Sequence, residues 1–417
     1  MSNPQQHASQ PVGEPGQTLT VEAGRIVCPL NGLDGPGRIV LQHGRILSVT
    51  TGADSATEPT PPGPVLRFPD GVVLPGLIDL HAHPDCRPPE AGGSKYGLHP
   101  DQWLLARGTT TVLSQGDAGA VNWPEYRREV IDQCRTRILL ALNLASPGET
   151  TPDGCFADEA RASVSACVET LASGDPALWG IACNVSEIAC EQIDPQLILR
   201  RGLEAAEQAG KPLLFGVHHP ARWSWEEQLS LLRPGDVMTY LYRDEAWNIV
   251  ELHPAGEPAG NSSRPQIRPA VRAARERGIL FDVGHGCGSF VFPVAQSALA
   301  AGFPPDTIST DGQLRHVGWN PVHDLPRVMS KLLAAGMPEA DVFAAVTSRP
   351  AQILGLAGEV GELTPGACAD LTVLEWQDDA PALTDIRGNA IPGGCWSAVH
   401  VIRGGQSVAE HGQLVDP

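Results

Sequence analysis

Lysine is scarce in this chain: 417 residues contain three, Lys95, Lys211 and Lys331. Acidic residues outnumber basic ones, 48 Asp and Glu against 29 Lys and Arg, and the formal net charge is −19. That balance excludes the basic stripe that a nucleic-acid surface needs. It accounts for solubility rather than an acid-specific partner. Long apolar runs are also missing. None reaches the roughly 18–20 residues that cross a bilayer, so no membrane partner is expected. The ten cysteines are scattered, with no Cys-x-x-Cys. This excludes a dense disulfide framework and leaves reduced, mostly buried thiols in a cytoplasm. The stretch 1–18 is polar, with Gln, Pro and Gly, and lacks the basic start and apolar core of a signal peptide. It reads as a disordered tail.

What is present falls into two textures. From 19 to 71, short β-rich runs such as Arg25-Ile26-Val27 and Arg38-Ile39-Val40-Leu41 are punctuated by Gly and Pro. The C-terminal part, 356–417, repeats that texture in Leu371-Thr372-Val373-Leu374 and Val399-His400-Val401-Ile402. Together these two segments predict one small β-sandwich domain. Between them, 72–355 alternates apolar strands with helical stretches. The strand candidates are 72–80, 110–113, 138–144, 178–183, 212–217, 237–241, 279–283 and 307–309. Helical patterns cover 124–135, 157–172, 195–209, 268–277, 293–301 and 325–335. Such alternation implies a parallel sheet. Eight strands of this kind match a (β/α)8 TIM barrel, whose active site lies at the strand C-terminal ends.

Reactive residue types collect at those ends. His81 and His83 follow the first strand, and on a strand i and i+2 share a face. Two imidazoles on one face begin a metal site, and imidazole suits zinc, copper, iron and nickel. Gln115 and Asp117 follow the second strand, His218 and His219 the fifth, Tyr240 and Tyr242 the sixth. His285 follows the seventh and Asp311 the eighth.

This order of residues resembles the amidohydrolase superfamily: His-x-His on strand one, His on strand five, Asp on strand eight. The local text goes further. Gly108-Thr109-Thr110-Thr111-Val112, Phe281-Asp282-Val283-Gly284-His285-Gly286 and Asp324-Leu325-Pro326-Arg327-Val328-Met329-Ser330-Lys331 are similar to the dihydroorotase/deacetylase-like branch, which includes acetyl-mandelate esterase-type and deacylase proteins. The resemblance runs over nearly the whole chain after residue 20. It implies the barrel, a hydrolytic reaction and a divalent metal.

Two positions depart from the branch. The bridging carboxylated Lys of its two-metal members falls at Ala182, and Tyr240 stands where a strand-six His is expected. Both losses remove ligands of a second metal. The expectation is therefore one zinc per chain, held by His81, His83, Asp311 and His218, with Cys183 an open alternative should the strand-four register shift by one. A bound metal can lower the pKa of water from about 15.7 to about 7. Asp311 then takes the proton and returns it to the leaving group. His285 is expected to face substrate and Tyr240 to donate to the developing oxyanion. A small-molecule amide or ester follows as substrate, with a deacylase as the leading reading. A hydrolytic deaminase is the neighbouring alternative, and a silent or lyase-type relative the other. A homo-oligomer is expected from the resemblance alone.

Overall fold

A computed structural model describes residues 18–52, 61–244, 247–251 and 265–416. Of the stretch 1–18, expected as a tail, 1–17 lies outside these residues.

Both chain ends build one sheet. The N-terminal part gives β1 (Leu19–Cys28), β2 (Leu33–Gln42), β3 (Arg45–Thr51) and β4 (Val65–Pro75). The barrel strands follow as β5 (Leu77–Ala82), β6 (Thr109–Gly119), β7 (Arg137–Asn143), β8 (Leu178–Asn184), β9 (Leu213–Gly216), β10 (Val237–Thr239) and β11 (Leu280–Phe281). The C-terminal part adds β12 (Leu371–Gln377), β13 (Cys395–Arg403), β14 (Gln406–Glu410) and β15 (Gln413–Leu414). The terminal sheet runs β15-β14-β13-β12-β4-β1-β2-β3, so the two ends meet where β12 pairs antiparallel with β4. Its apolar face packs Val21, Ile26, Ile39, Ile46, Val73, Leu371 and Ile402 into a core of its own.

The second sheet, β11-β10-β9-β8-β7-β6-β5, is parallel at every pairing. It closes through the extended segment after residue 306. Asp282 bridges Thr307 and Ala82 bridges Gly312, both in parallel. The result is a (β/α)8 TIM barrel carrying a small sandwich domain made by both termini.

Each barrel strand is buried on two faces. Ile78, Leu80, Leu113, Leu139, Ala141, Ala182, Leu214 and Val237 fill one cluster in the interior. The alternate residues Val112, Leu140, Ile181, Phe215 and Met238 pack outward among the helices. Each Val, Leu, Ile, Phe or Met side chain among them contributes about 1.5–3 kcal/mol by leaving water. No helix among the described residues is long and apolar enough to cross a membrane.

Two strand expectations are corrected: 307–309 pairs only through isolated bridges, and 72–80 is not one strand. The run 72–80 is divided between two sheets, β4 and β5, with Gly76 between them. A Cβ at Gly76 would begin 2.2 Å from Thr110 Oγ1, so only glycine lets the chain pass there. The eighth strand is held at its end by the buried Asp79 carboxylate, which accepts from Thr310 Oγ1 (2.5 Å), Thr310 N (3.1 Å) and His81 N (3.2 Å). Burial pushes the Asp79 carboxyl up to about 7.

Candidate metal centre at the barrel mouth

His81 and His83 end β5, and the closing strand lies directly against them. The Asp311 amide donates to the His81 carbonyl (2.7 Å), and the His83 amide to the Gly312 carbonyl (2.9 Å). This pairing brings the Asp311 carboxylate over both imidazoles. Its Oδ1 is 3.4 Å from His81 Nε2 and 3.4 Å from His83 Nε2. One donor atom from each of the three residues lies within 4.8 Å of the others, and all three residues are buried.

The hydrogen bonds around the trio decide what it can hold. Thr239 Oγ1 donates to Asp282 Oδ2 (2.8 Å), so it has a lone pair left for His81 Nδ1–H at 2.9 Å. His83 Nδ1 lies 2.8 Å from Asp117 Oδ1, and the other Asp117 oxygen accepts from Ser114 Oγ at 2.6 Å. Each imidazole therefore spends its proton on the outer partner. Its Nε2 lone pair turns inward beside a carboxylate. His81 Nε2 is buried and has no hydrogen-bond partner. An unpartnered imidazole nitrogen, a second imidazole nitrogen and a carboxylate oxygen facing one another are a donor set that suits a cation. With no cation, Asp117 and Asp311 outweigh burial and hold a proton on His83, raising it to about 10. A metal bound there would take that proton's place, which would link its binding to pH.

Backbone strain marks the same spot. Among the described non-glycine residues only His43, Glu191, Tyr240, Asp311 and His411 have positive φ, with Tyr240 at 70° and Asp311 at 48°. Such conformations cost about 1–3 kcal/mol each and persist where surrounding structure enforces them. The Tyr240 ring lies 5.2 Å from that of His81. Burial holds its phenol far above the ordinary value, so it stays a proton donor.

A cleft of about 170 Å³ opens beside the trio. Its lining includes Asp311, Tyr240, Gln115, Lys95, Arg243 and Arg315. Lys95 is 3.3 Å from the buried Glu149 carboxylate. Arg243 and Arg315 form no ion pair among the described residues. Instead Arg243 lies 3.6 Å over the Trp247 ring and Arg315 5.2 Å over that of Tyr96. Glu149 lines the cleft too and offsets Lys95, so Arg243 and Arg315 are the two cations on this wall without a carboxylate partner among the described residues.

Other expected site residues sit elsewhere. His218 is buried and fixed, its Nδ1 on the Val185 carbonyl (2.8 Å), but it does not join the three-donor cluster. Cys183 faces outward against the helix Pro195–Ala209, its thiol 3.9 Å from the Ile198 carbonyl. The inward residue of that strand end is Ala182. His285 does not line the cleft. Its Nδ1 donates to the Gly286 carbonyl (2.8 Å) and its Nε2 lies 2.8 Å from Lys331 Nζ. Nothing in the sequence assigns Lys331 a place at the site. Asp282 and Thr239 were not singled out either, although an aspartate inside the apolar run Leu280-Phe281-Asp282-Val283 was a usable signal. Glu149, in a short loop, carried none.

A histidine cluster flanks the site and yields a pH prediction. Burial, then His316 and Lys331, hold His323 down at about 3. An unfolded histidine titrates near 6.5. Between those values the unfolded chain binds the proton and the folded chain does not, so stability falls as pH drops below 6.5. At pH 5 the cost is about 2 kcal/mol. Asp79 and Asp324, raised by burial to about 7 and about 6, gain protons in the folded state over the same range and oppose the trend. The His323 part is isolated by difference. Urea unfolding at pH 7 and pH 5 is expected to show wild type losing about 2 kcal/mol relative to His323→Gln. Equal losses in both proteins would refute it.

The model of the amidohydrolase family matches residues 288–402. The chain is 31% identical to a deacetylase of Agrobacterium fabrum over 323 residues, covering 76% of this chain and 74% of that one. It is 27% identical to a deacetylase of Enterococcus faecalis over 372 residues, 89% and 93% of the two chains. Among solved structures, an adenine deaminase superposes with TM-score 0.79 at 26% identity, covering 94% of this chain and 99% of the other. A dihydroorotase does so with TM-score 0.77 at 26% identity and the same coverage. Matched along most of its length to such relatives, and built on the barrel that carries the His81, His83 and Asp311 cluster, the chain belongs to the amidohydrolase family.

Proposed function

We propose that the protein is a metal-dependent hydrolase that cleaves an amide or ester bond in a small carboxylate-bearing substrate, an N-acyl amino acid type foremost. The reading is carried by the convergence of two imidazole Nε2 atoms, that of His81 without a hydrogen-bond partner, and the Asp311 carboxylate beside a cleft lined by Arg243 and Arg315. One zinc per chain suits this donor set, since zinc takes His and carboxylate ligands and catalytic sites keep a position open. His81, His83 and Asp311 would hold it. When bound, such an ion lowers the pKa of water toward neutrality and polarises a carbonyl.

The chain's own groups supply the rest. Asp311 accepts a proton from the attacking water and delivers it to the leaving group. The Tyr240 phenol, protonated and on the cleft wall, donates to the oxygen on which charge develops. Thr239 with Asp282, and Asp117, keep the two imidazoles turned so that Nε2 faces inward. Arg243 and Arg315 pair with the substrate carboxylate, and an unpaired guanidinium is well shaped for it. Hydrolytic deamination is the second reading, favoured by the likeness to an adenine deaminase. The cationic cleft argues for a carboxylate rather than a neutral purine.

The test is to strip the protein with a chelator, reload it with zinc, count the metal and screen N-acetyl amino acids, their amides, and adenine. One zinc per chain and turnover of the free acids are expected. Two metals per chain would overturn the one-zinc proposal, and full activity after stripping would overturn metal dependence. Ammonia from adenine would establish the second reading. A companion variant, Asp117→Ala, loses the acceptor that orients His83. It is expected to weaken zinc binding about 10- to 100-fold in chelator competition. Unchanged affinity would remove Asp117 from the site.

A further inference from the structure

We propose that Lys331 is a positioning residue of this hydrolase, acting through His285 on the glycine turn that cradles Asp311. The inference rests on the reading of His81, His83 and Asp311 as a metal site.

Lys331 lies on the helix Leu325–Ala334 and points back into the barrel, 5% exposed. Its Nζ is 2.8 Å from His285 Nε2, and among the described residues no carboxylate lies within ion-pair distance of it. Taking an ammonium out of water without a counter-ion is unfavourable. Burial and then the like charge of Arg327 accordingly bring its pKa down to about 7. The groups facing it are Arg327 from its own helix, Asp324 from the helix cap, Asp385 and Cys395 from the C-terminal part, His285 from the barrel, and His316 and His323 from the segment before the helix. A residue this costly to bury, with one hydrogen-bond partner, is placed for that partner.

The partner leads directly to the metal site. The Lys331 donor makes Nε2 of His285 an acceptor, so the ring proton sits on Nδ1. That proton goes to the Gly286 carbonyl at 2.8 Å. Phe290 stacks on the imidazole at 4.9 Å and 12°, which fixes its plane. The turn so held is unusual. Gly284 and Gly286 have φ of 51° and 46°. A Cβ at Gly286 would begin 2.2 Å from Asp311 Oδ2, so this backbone is packed against the carboxylate itself. The amides of His285 and Gly286 also hold the closing strand, donating to the carbonyls of Ser309 (3.2 Å) and Thr310 (2.9 Å). Asp311 follows immediately at φ 48°. Releasing Lys331 frees the imidazole to change its proton position. It thereby loosens the wall against which Asp311 is set.

Cobalt substitution reads this without a substrate, because the visible bands of Co(II) report the arrangement of its ligands. Wild type, Lys331→Met and His285→Phe are loaded with Co(II), and the zinc forms are assayed on whichever N-acetyl amino acid wild type hydrolyses. Lys331→Met is expected to bind cobalt with shifted bands. Its kcat is expected to fall at least tenfold, with KM within threefold. His285→Phe, which keeps the ring stack but neither nitrogen, is expected to show the same shift. The double variant should be no worse than the poorer single one. An unchanged cobalt spectrum in Lys331→Met overturns the proposal, as do multiplied losses in the double variant. Should Lys331→Met fail to fold, His285→Phe decides alone: a shift supports the proposal and a wild-type spectrum ends it. Wild-type protein that takes up no cobalt sinks the metal reading and this one together, whereas a cobalt-binding wild type with an unaltered Lys331→Met sinks only this one.

Discussion

Asp311→Asn is expected to lower kcat/KM by about three orders of magnitude, within the range that general acid–base groups contribute. The substitution is chosen for its restraint. Asn is among the few non-glycine residues that accept positive φ, so the 48° backbone at this position survives. Its amide oxygen can still face the two Nε2 atoms. What it cannot do is take up a proton at the pH of the reaction. In the free protein His81, His83 and Gln313 outweigh burial and hold the Asp311 carboxyl below the ordinary range, so it is an ionised acceptor at neutral pH. Zinc content measured beside activity separates the two ways the variant could fail. A loaded but inactive Asp311→Asn assigns the loss to proton transfer, whereas a metal-free one assigns it to binding. A loaded variant within tenfold of wild-type activity would remove Asp311 from proton transfer.

The barrel was legible because chemistry recurred at one end of successive apolar strands, and neither packing nor solubility asks for that. Strand parity and this recurrence drew attention to His81, His83 and Asp311, and the resemblance to the amidohydrolases made them a ligand set. Parity also separates Ala182, in the interior, from Cys183, against the outer helix. Where the sequence reading stopped, the missing information was three-dimensional. The run 72–80 is apolar throughout because β4 and β5 are both buried, so nothing in its composition announces that it changes sheet at Gly76. His285 looked like a cleft residue because its strand ends there, yet its ring turns inward to a lysine on the helix Leu325–Ala334. That helix is buried almost all round, from Leu325 to Leu332. Its periodicity could not single out the face that reaches the barrel. Lys95 and Glu149 meet across two loops, and a loop offers no period from which an approach of 3.3 Å could be foreseen.

Arg243 carries the largest expected effect on substrate choice. Its guanidinium is mostly withdrawn from water, and burial lowers its pKa below the usual arginine value. It stacks at 3.6 Å on Trp247 and lines the cleft beside Asp311 and Tyr240. A cation that has lost much of its hydration and lacks an ion-pair partner among the described residues is ready to take a substrate carboxylate with two parallel hydrogen bonds. Truncating one side of such a buried pair costs about 2–4 kcal/mol, so Arg243→Met should raise KM for an N-acetyl amino acid by roughly 30- to 1,000-fold. The change in kcat should be much smaller, because the contact is made equally in the ground and transition states. Arg243→Lys should recover only part of the loss, since an ammonium offers charge without the planar fork. The discriminating comparison is the uncharged amide of the same amino acid. Wild type should handle it poorly, and Arg243→Met should handle it no worse than wild type does. An equal rise in KM for the acid and its amide would show that Arg243 only shapes the cleft, and the carboxylate would have to be sought at Arg315 or Lys95.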